Sequence, residues 1–101
     1  MASIKSIIQK HKGTAGAWRV VQVTRSDDYV RCCQLWHYST LMLEWRELNP
    51  RDEDYLDYSL GWGSVSDQNG MNTAFHIQDL PLYYNRAGGA EITNHGNVYS
   101  T

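Results

Sequence analysis

The sequence predicts an α+β domain: a small antiparallel sheet, made of a meander and a C-terminal hairpin, with an N-terminal and a central helix packed on one face. Three observations carry that prediction. Two segments show the apolar spacing of a helix, several short segments between and after them are rich in β-branched and aromatic residues, and Gly, Asp, Asn or Pro marks the joints. With 101 residues, 42% apolar and 20% charged, residues 1–101 fit one globular domain.

The elements follow in order. Residues 3–11 place Ile4, Ile7, Ile8 and His11 at i, i+3, i+4 and i+7, with Ser3 as N-cap and Gly13 as stop, so residues 1–12 carry the N-terminal helix. Residues 14–16 read as a turn. Residues 17–25 (AWRVVQVTR) form the first strand and Ser26-Asp27-Asp28 supplies a turn. Residues 29–37 and 40–47 are two more strands, the latter with Leu41, Leu43 and Trp45 on one face; short neighbours of this kind pair as a meander. Residues 48–54 hold Asn49-Pro50 and three consecutive acids, an exposed loop.

Residues 55–62 alternate strictly, with Leu56, Tyr58, Leu60 and Trp62 facing one way, and predict a fourth strand. Gly61 and Gly63 then relax the backbone, Ser66 is the expected N-cap, and a helix runs to about residue 79 with Met71, Ala74, Phe75 and Gln78 on one face. Gly70 inside it costs about 1 kcal/mol relative to Ala. That cost points to close packing on the sheet or to backbone access for a ligand. Pro81 ends the helix, residues 82–86 and 90–95 form a hairpin about Ala87-Gly88-Gly89, and residues 96–101 are a loose tail.

Charge and cysteines narrow the function classes. No apolar run has membrane-spanning length and the N-terminus lacks the apolar block of a secretion signal, so the expectation is a soluble protein in a reducing cytoplasm. Cys32 and Cys33 are adjacent, point to opposite faces of a strand, and so argue against a mutual disulfide. The net charge is -2, and residues 27–58 are distinctly acidic, which disfavours direct DNA binding. The four histidines and two cysteines show no zinc-site spacing, so neither a metal nor another cofactor is expected. Ser64, Ser66, Asp67 and His76 are the residue types of a serine hydrolase, yet the Gly-x-Ser-x-Gly elbow is missing. The chain therefore reads as non-enzymatic.

Two surfaces remain for binding. Asp52, Glu53, Asp54, Tyr55 and Asp57 form an acidic, aromatic-edged patch suited to a basic partner surface. Tyr55, Tyr83 and Tyr99 are expected outside the core. Trp62, Ser64, Ser66, Asn72, Tyr84 and Arg86 offer a nucleotide-sized pocket at the helix start, where free N–H groups and the helix dipole attract anions.

The segment LGWGSVSDQNGMN (residues 60–72), followed by LYYNRAGGA (residues 82–90), resembles small uncharacterised bacteriophage accessory proteins over roughly residues 37–92. The resemblance transfers no catalytic residue. It implies a protein made in the host bacterial cytoplasm. The leading expectation is an inhibitor, anti-CRISPR-like, that occludes a host defence protein. The alternatives are a homo-oligomeric sponge for a small nucleotide signal and a structural or interaction module.

Overall fold

The computed structural model describes residues 2–94. The tail at 96–101, the end of the last predicted strand at His95 and Tyr99 lie outside the described residues. The chain runs α1 (Ile4–Lys10), β1 (Gly13–Ala15), β2 (Trp18–Thr24), β3 (Arg31–His37), β4 (Thr40–Arg46), β5 (Asp57–Tyr58), α2 (Val65–Ile77), β6 (Leu82–Asn85) and β7 (Glu91–Asn94). Strands β1 to β5 form one antiparallel meander in chain order, and β6 and β7 form a separate hairpin. This is the predicted α+β architecture.

The inner face of the sheet follows from strand periodicity. Trp18 pairs with His37, Val20 with Leu35, Leu35 with Leu43 and Cys33 with Trp45, and all are buried. A bulge between Leu35 and Trp36 adds one residue to β4, so that Met42 and its neighbour Leu43 are both fully buried. Against this face lie Ile7 and Ile8 of α1, Met71, Ala74 and Phe75 of α2, and Leu82 and Tyr84 of β6. The isoleucine spacing read from the sequence is the buried stripe of α1. On the outer face a polar ladder runs from the Trp36 indole N–H to Gln34 (3.2 Å) and from the Gln34 amide to Glu44 (2.8 Å), with the Arg19 guanidinium over the Trp36 ring at 5.5 Å.

Three expectations are corrected. The turn at 14–16 is mostly strand: Gly13–Ala15 pairs with β2 and makes one edge of the sheet. The strand expected over 55–62 shrinks to Asp57–Tyr58, because left-handed backbone at Gly61 (φ 57) and Gly63 (φ 71) turns the chain away; of its alternating row Leu56 packs on the core, whereas Tyr58, Leu60 and Trp62 are exposed. The N-cap of α2 is Ser64 rather than Ser66. The Ser64 hydroxyl accepts from the Asp67 N–H, while Asp67 accepts from the Ser64 N–H, a reciprocal capping box that starts the helix two residues early.

Gly70 has a packing explanation. A Cβ built there lies 2.1 Å from Cζ2 of Trp18, so the indole occupies the space a side chain would fill. Of the two explanations of that glycine, the structure supports close helix–sheet packing. An exposed helical Gly→Ala change gains about 1 kcal/mol, but overpacking costs about 1–3 kcal/mol. Gly70→Ala is therefore expected to lower stability in urea unfolding by about 1 kcal/mol, the overpacking cost less the helix-propensity gain; equal or higher stability would show that the indole moves freely.

Candidate functional site

The stretch from Ser59 to Asp67 leaves the sheet edge, crosses two glycines and enters α2. Gly61 is required there twice: its backbone is left-handed, and a Cβ would meet the Met42 sulfur at 2.7 Å. The chain is thereby pressed onto β4, and Asp67 is carried inside the protein, fully buried.

Asp67 organises this region. One carboxylate oxygen lies 2.6 Å from His37 Nδ1, and the other accepts the Trp62 N–H (2.9 Å) and the Ser64 N–H (3.2 Å). Burial pushes the Asp67 carboxyl up, but the bonds from His37, Ser64 and Trp62 outweigh it and hold the group below its ordinary value. The carboxylate keeps a proton on Nδ1, so His37 Nε2 faces the Ser66 hydroxyl at 3.2 Å. The His37 ring is stacked on Trp18 (centroids 4.1 Å apart, 9° between planes) and lies 4.7 Å from the ring of Tyr38. The histidine grouped with Ser64, Ser66 and Asp67 from the sequence was His76, which is exposed; the one that meets Asp67 and Ser66 is His37. The missed signal was the inward parity of position 37: Cys33, Leu35 and His37 share one face of β3.

Around this anchor the surface is apolar. Trp62 is 84% exposed, Tyr38 72% and Val65 54%, with Leu60 and Tyr58 also exposed. Tyr58 leans edge-on against Phe75 at 6.5 Å.

The residues proposed for a nucleotide pocket divide into two groups. Trp62, Ser64 and Ser66 sit together at the start of α2, and Arg86 joins them: its Nε donates to the Gly63 carbonyl (3.1 Å) and its N–H to the Gln68 side chain (3.1 Å), so the hairpin does reach the helix N-terminus. Asn72 and Tyr84 are engaged internally. The Asn72 amide donates to the Tyr84 carbonyl (2.9 Å) and accepts the Tyr84 N–H (2.7 Å), fastening β6 to α2, while the buried Tyr84 donates its hydroxyl to the Leu60 carbonyl.

The acidic patch divides as well. Asp52 accepts from Arg46 (3.0 Å), and the Tyr55 ring lies between the guanidinium groups of Arg25 (5.0 Å) and Arg46 (5.4 Å) with its hydroxyl donated to Asp28 (2.9 Å). Glu53, Asp54 and Asp57 are exposed. Tyr83 is exposed as expected, whereas Tyr55 is half-buried. Cys32 and Cys33 are free and buried; burial, with nearby Glu47 adding to it, pushes the Cys33 thiol up to about 12, and burial also raises Cys32. Neither is a poised thiolate nucleophile.

Because the Asp67 carboxyl titrates lower in the folded protein than in the unfolded chain, the unfolded chain binds more protons in acid, and the stabilisation is lost as pH falls through the folded value. Stability of the wild type should therefore decline below about pH 4. Asp67→Asn should cost about 2 kcal/mol at neutral pH and flatten that acid limb, as read by urea titrations across pH; an unchanged limb would remove Asp67 from this role. No protein-family model matches the chain, and no curated protein or solved structure matches it.

Proposed function

We propose that the protein is a non-enzymatic binding module that occludes a partner protein surface and, in the setting its bacteriophage resemblance implies, inhibits a host defence protein. The observation that carries this reading is the group of exposed apolar side chains Tyr58, Leu60, Trp62 and Val65 along the chain from the end of β5 to the start of α2. Exposed aromatic groups on a rigid base are favoured anchors in interfaces. The base here is rigid because the Trp62 and Ser64 N–H groups are fixed by Asp67, which His37 ties to the sheet. Glu53, Asp54 and Asp57 precede this group, so the fitting partner has an apolar recess with a basic rim.

In affinity measurements on a partner captured from host lysate, Trp62→Ala is expected to weaken the complex about 10-fold or more, near 1.4 kcal/mol, with the melting temperature unchanged. Changing Glu53, Asp54 and Asp57 to Lys should mainly slow association. Full affinity in Trp62→Ala and Tyr38→Ala would reject this face as the contact.

A second reading has one observation in its favour: Asp67, His37 and Ser66 stand in the order and at the distances of a serine nucleophile relay. Such a nucleophile needs a concave substrate site. A cleft of ≈ 490 Å³ along α2 is lined by Lys5, Asn69, Asn72, Thr73, His76 and Ile77, and Ser66 is not among them. A fluorophosphonate probe is expected to leave Ser66 unmodified. Labelling of Ser66 that His37→Ala abolishes would instead establish a nucleophile and overturn the non-enzymatic reading.

A further inference from the structure

At the other end of β3, three side chains from separate parts of the chain converge. His11 caps the C-terminus of α1, Cys33 sits on the inner face of β3, and Glu47 follows β4 with its N–H bonded to the Arg31 carbonyl at 3.1 Å. One donor atom from each, an imidazole nitrogen, the thiol sulfur and a carboxylate oxygen, lies within 4.8 Å of the other two.

Packing alone does not account for this trio. The nearest His11–Glu47 approach, Nδ1 to Oε1, is 3.7 Å and too long for a hydrogen bond. Glu47 Oε2 is buried and, among the described residues, has no hydrogen-bond partner; the Arg31 Nε lies 3.8 Å from it. A buried carboxylate oxygen left in that state is costly. The backbone at His11 adds a second cost. Its φ of 62° is left-handed, a conformation that helix C-termini normally give to Gly or Asn, and here a histidine adopts it. The effect of that turn is to aim the imidazole at Cys33 and Glu47.

We propose that His11, Cys33 and Glu47 form a zinc-binding site. Thiolate and imidazole select zinc over magnesium or calcium, and three protein donors with an open fourth position are a zinc arrangement. One thiolate and one carboxylate neutralise the dication, so the buried site carries no net charge. Arg31 Nε, 3.8 Å from Oε2, lies outside the donor trio and places a positive charge beside the carboxylate. An open cleft of ≈ 300 Å³ reaches the His11 side of the trio, where Trp45 and Gln78 also line it, and among the described residues the buried Gln78 Oε1 has no hydrogen-bond partner. The donors lie at positions 11, 33 and 47, so no short motif displays them.

The test is titration of the reduced 101-residue protein with Co²⁺ as a spectroscopic stand-in, followed by displacement with Zn²⁺. One equivalent should bind, with a thiolate-to-cobalt charge-transfer absorption and the intense visible bands of a four-coordinate ion. Cys33→Ala should abolish the charge-transfer absorption, while Cys32→Ala, at an equally buried position, should keep it. His11→Asn preserves a residue tolerant of the left-handed turn and should still weaken binding at least about 10-fold, and Arg31→Ala about 10-fold. Far-ultraviolet circular dichroism establishes that each variant is folded, and His11→Asn, near the surface, keeps the test decisive if Cys33→Ala does not fold. Absence of stoichiometric binding, a cobalt spectrum without thiolate character, or wild-type affinity in His11→Asn would overturn the site.

Discussion

Trp18 is held from two sides: its ring is stacked on His37 and its edge fills the space above Gly70. Through these contacts one tryptophan joins the first long strand, the third strand and the central helix. The His37–Asp67 bond closes the same circuit in polar form, from sheet to helix start, and Asp67 passes it on to the Trp62 and Ser64 backbone. A buried carboxylate is tolerable here because both of its oxygens are hydrogen-bonded, to His37 on one and to the Trp62 and Ser64 N–H groups on the other. The loop that presents Trp62 thus inherits its order from the core rather than from its own residues.

The inner face of β3 shows how the chain distributes chemistry. Leu35, in its middle, is fully apolar in its surroundings, whereas Cys33 and His37 lie toward its two ends, where polar groups arrive from other elements. Titratable and soft side chains are thereby kept to the perimeter of the hydrophobic core.

Much of the architecture was legible because it follows from local rules. The isoleucine stripe of α1, the three long strands and the hairpin are read from side-chain period and turn chemistry, and Gly70 betrayed the tight approach of helix and sheet. The errors arose where a local rule competes with tertiary placement. Alternation at 55–62 does indicate one-sidedness, but not which side is buried, and the two glycines decided it. Ser64 and Ser66 are equal as caps until the reciprocal bond with Asp67 selects Ser64. His37 and Asp67, 30 positions apart, and the trio His11, Cys33 and Glu47 could not be paired from spacing, since each pairing exists only once the meander has set its register.

The edges of the meander are its shortest strands, three residues in β1 and two in β5, and the long strands β2 to β4 are all internal. An exposed strand edge is an invitation to polymerise; β1 covers Trp18–Val20 of β2 and β5 covers Leu43 and Glu44 of β4, with charged Asp57 standing on the second of these short rims. A short rim gives an incoming strand few hydrogen bonds to add to, so edge-to-edge growth at β1 or β5 starts from a weak template. The protein's contacts with other molecules are left to side chains, whose identity can change without altering the sheet.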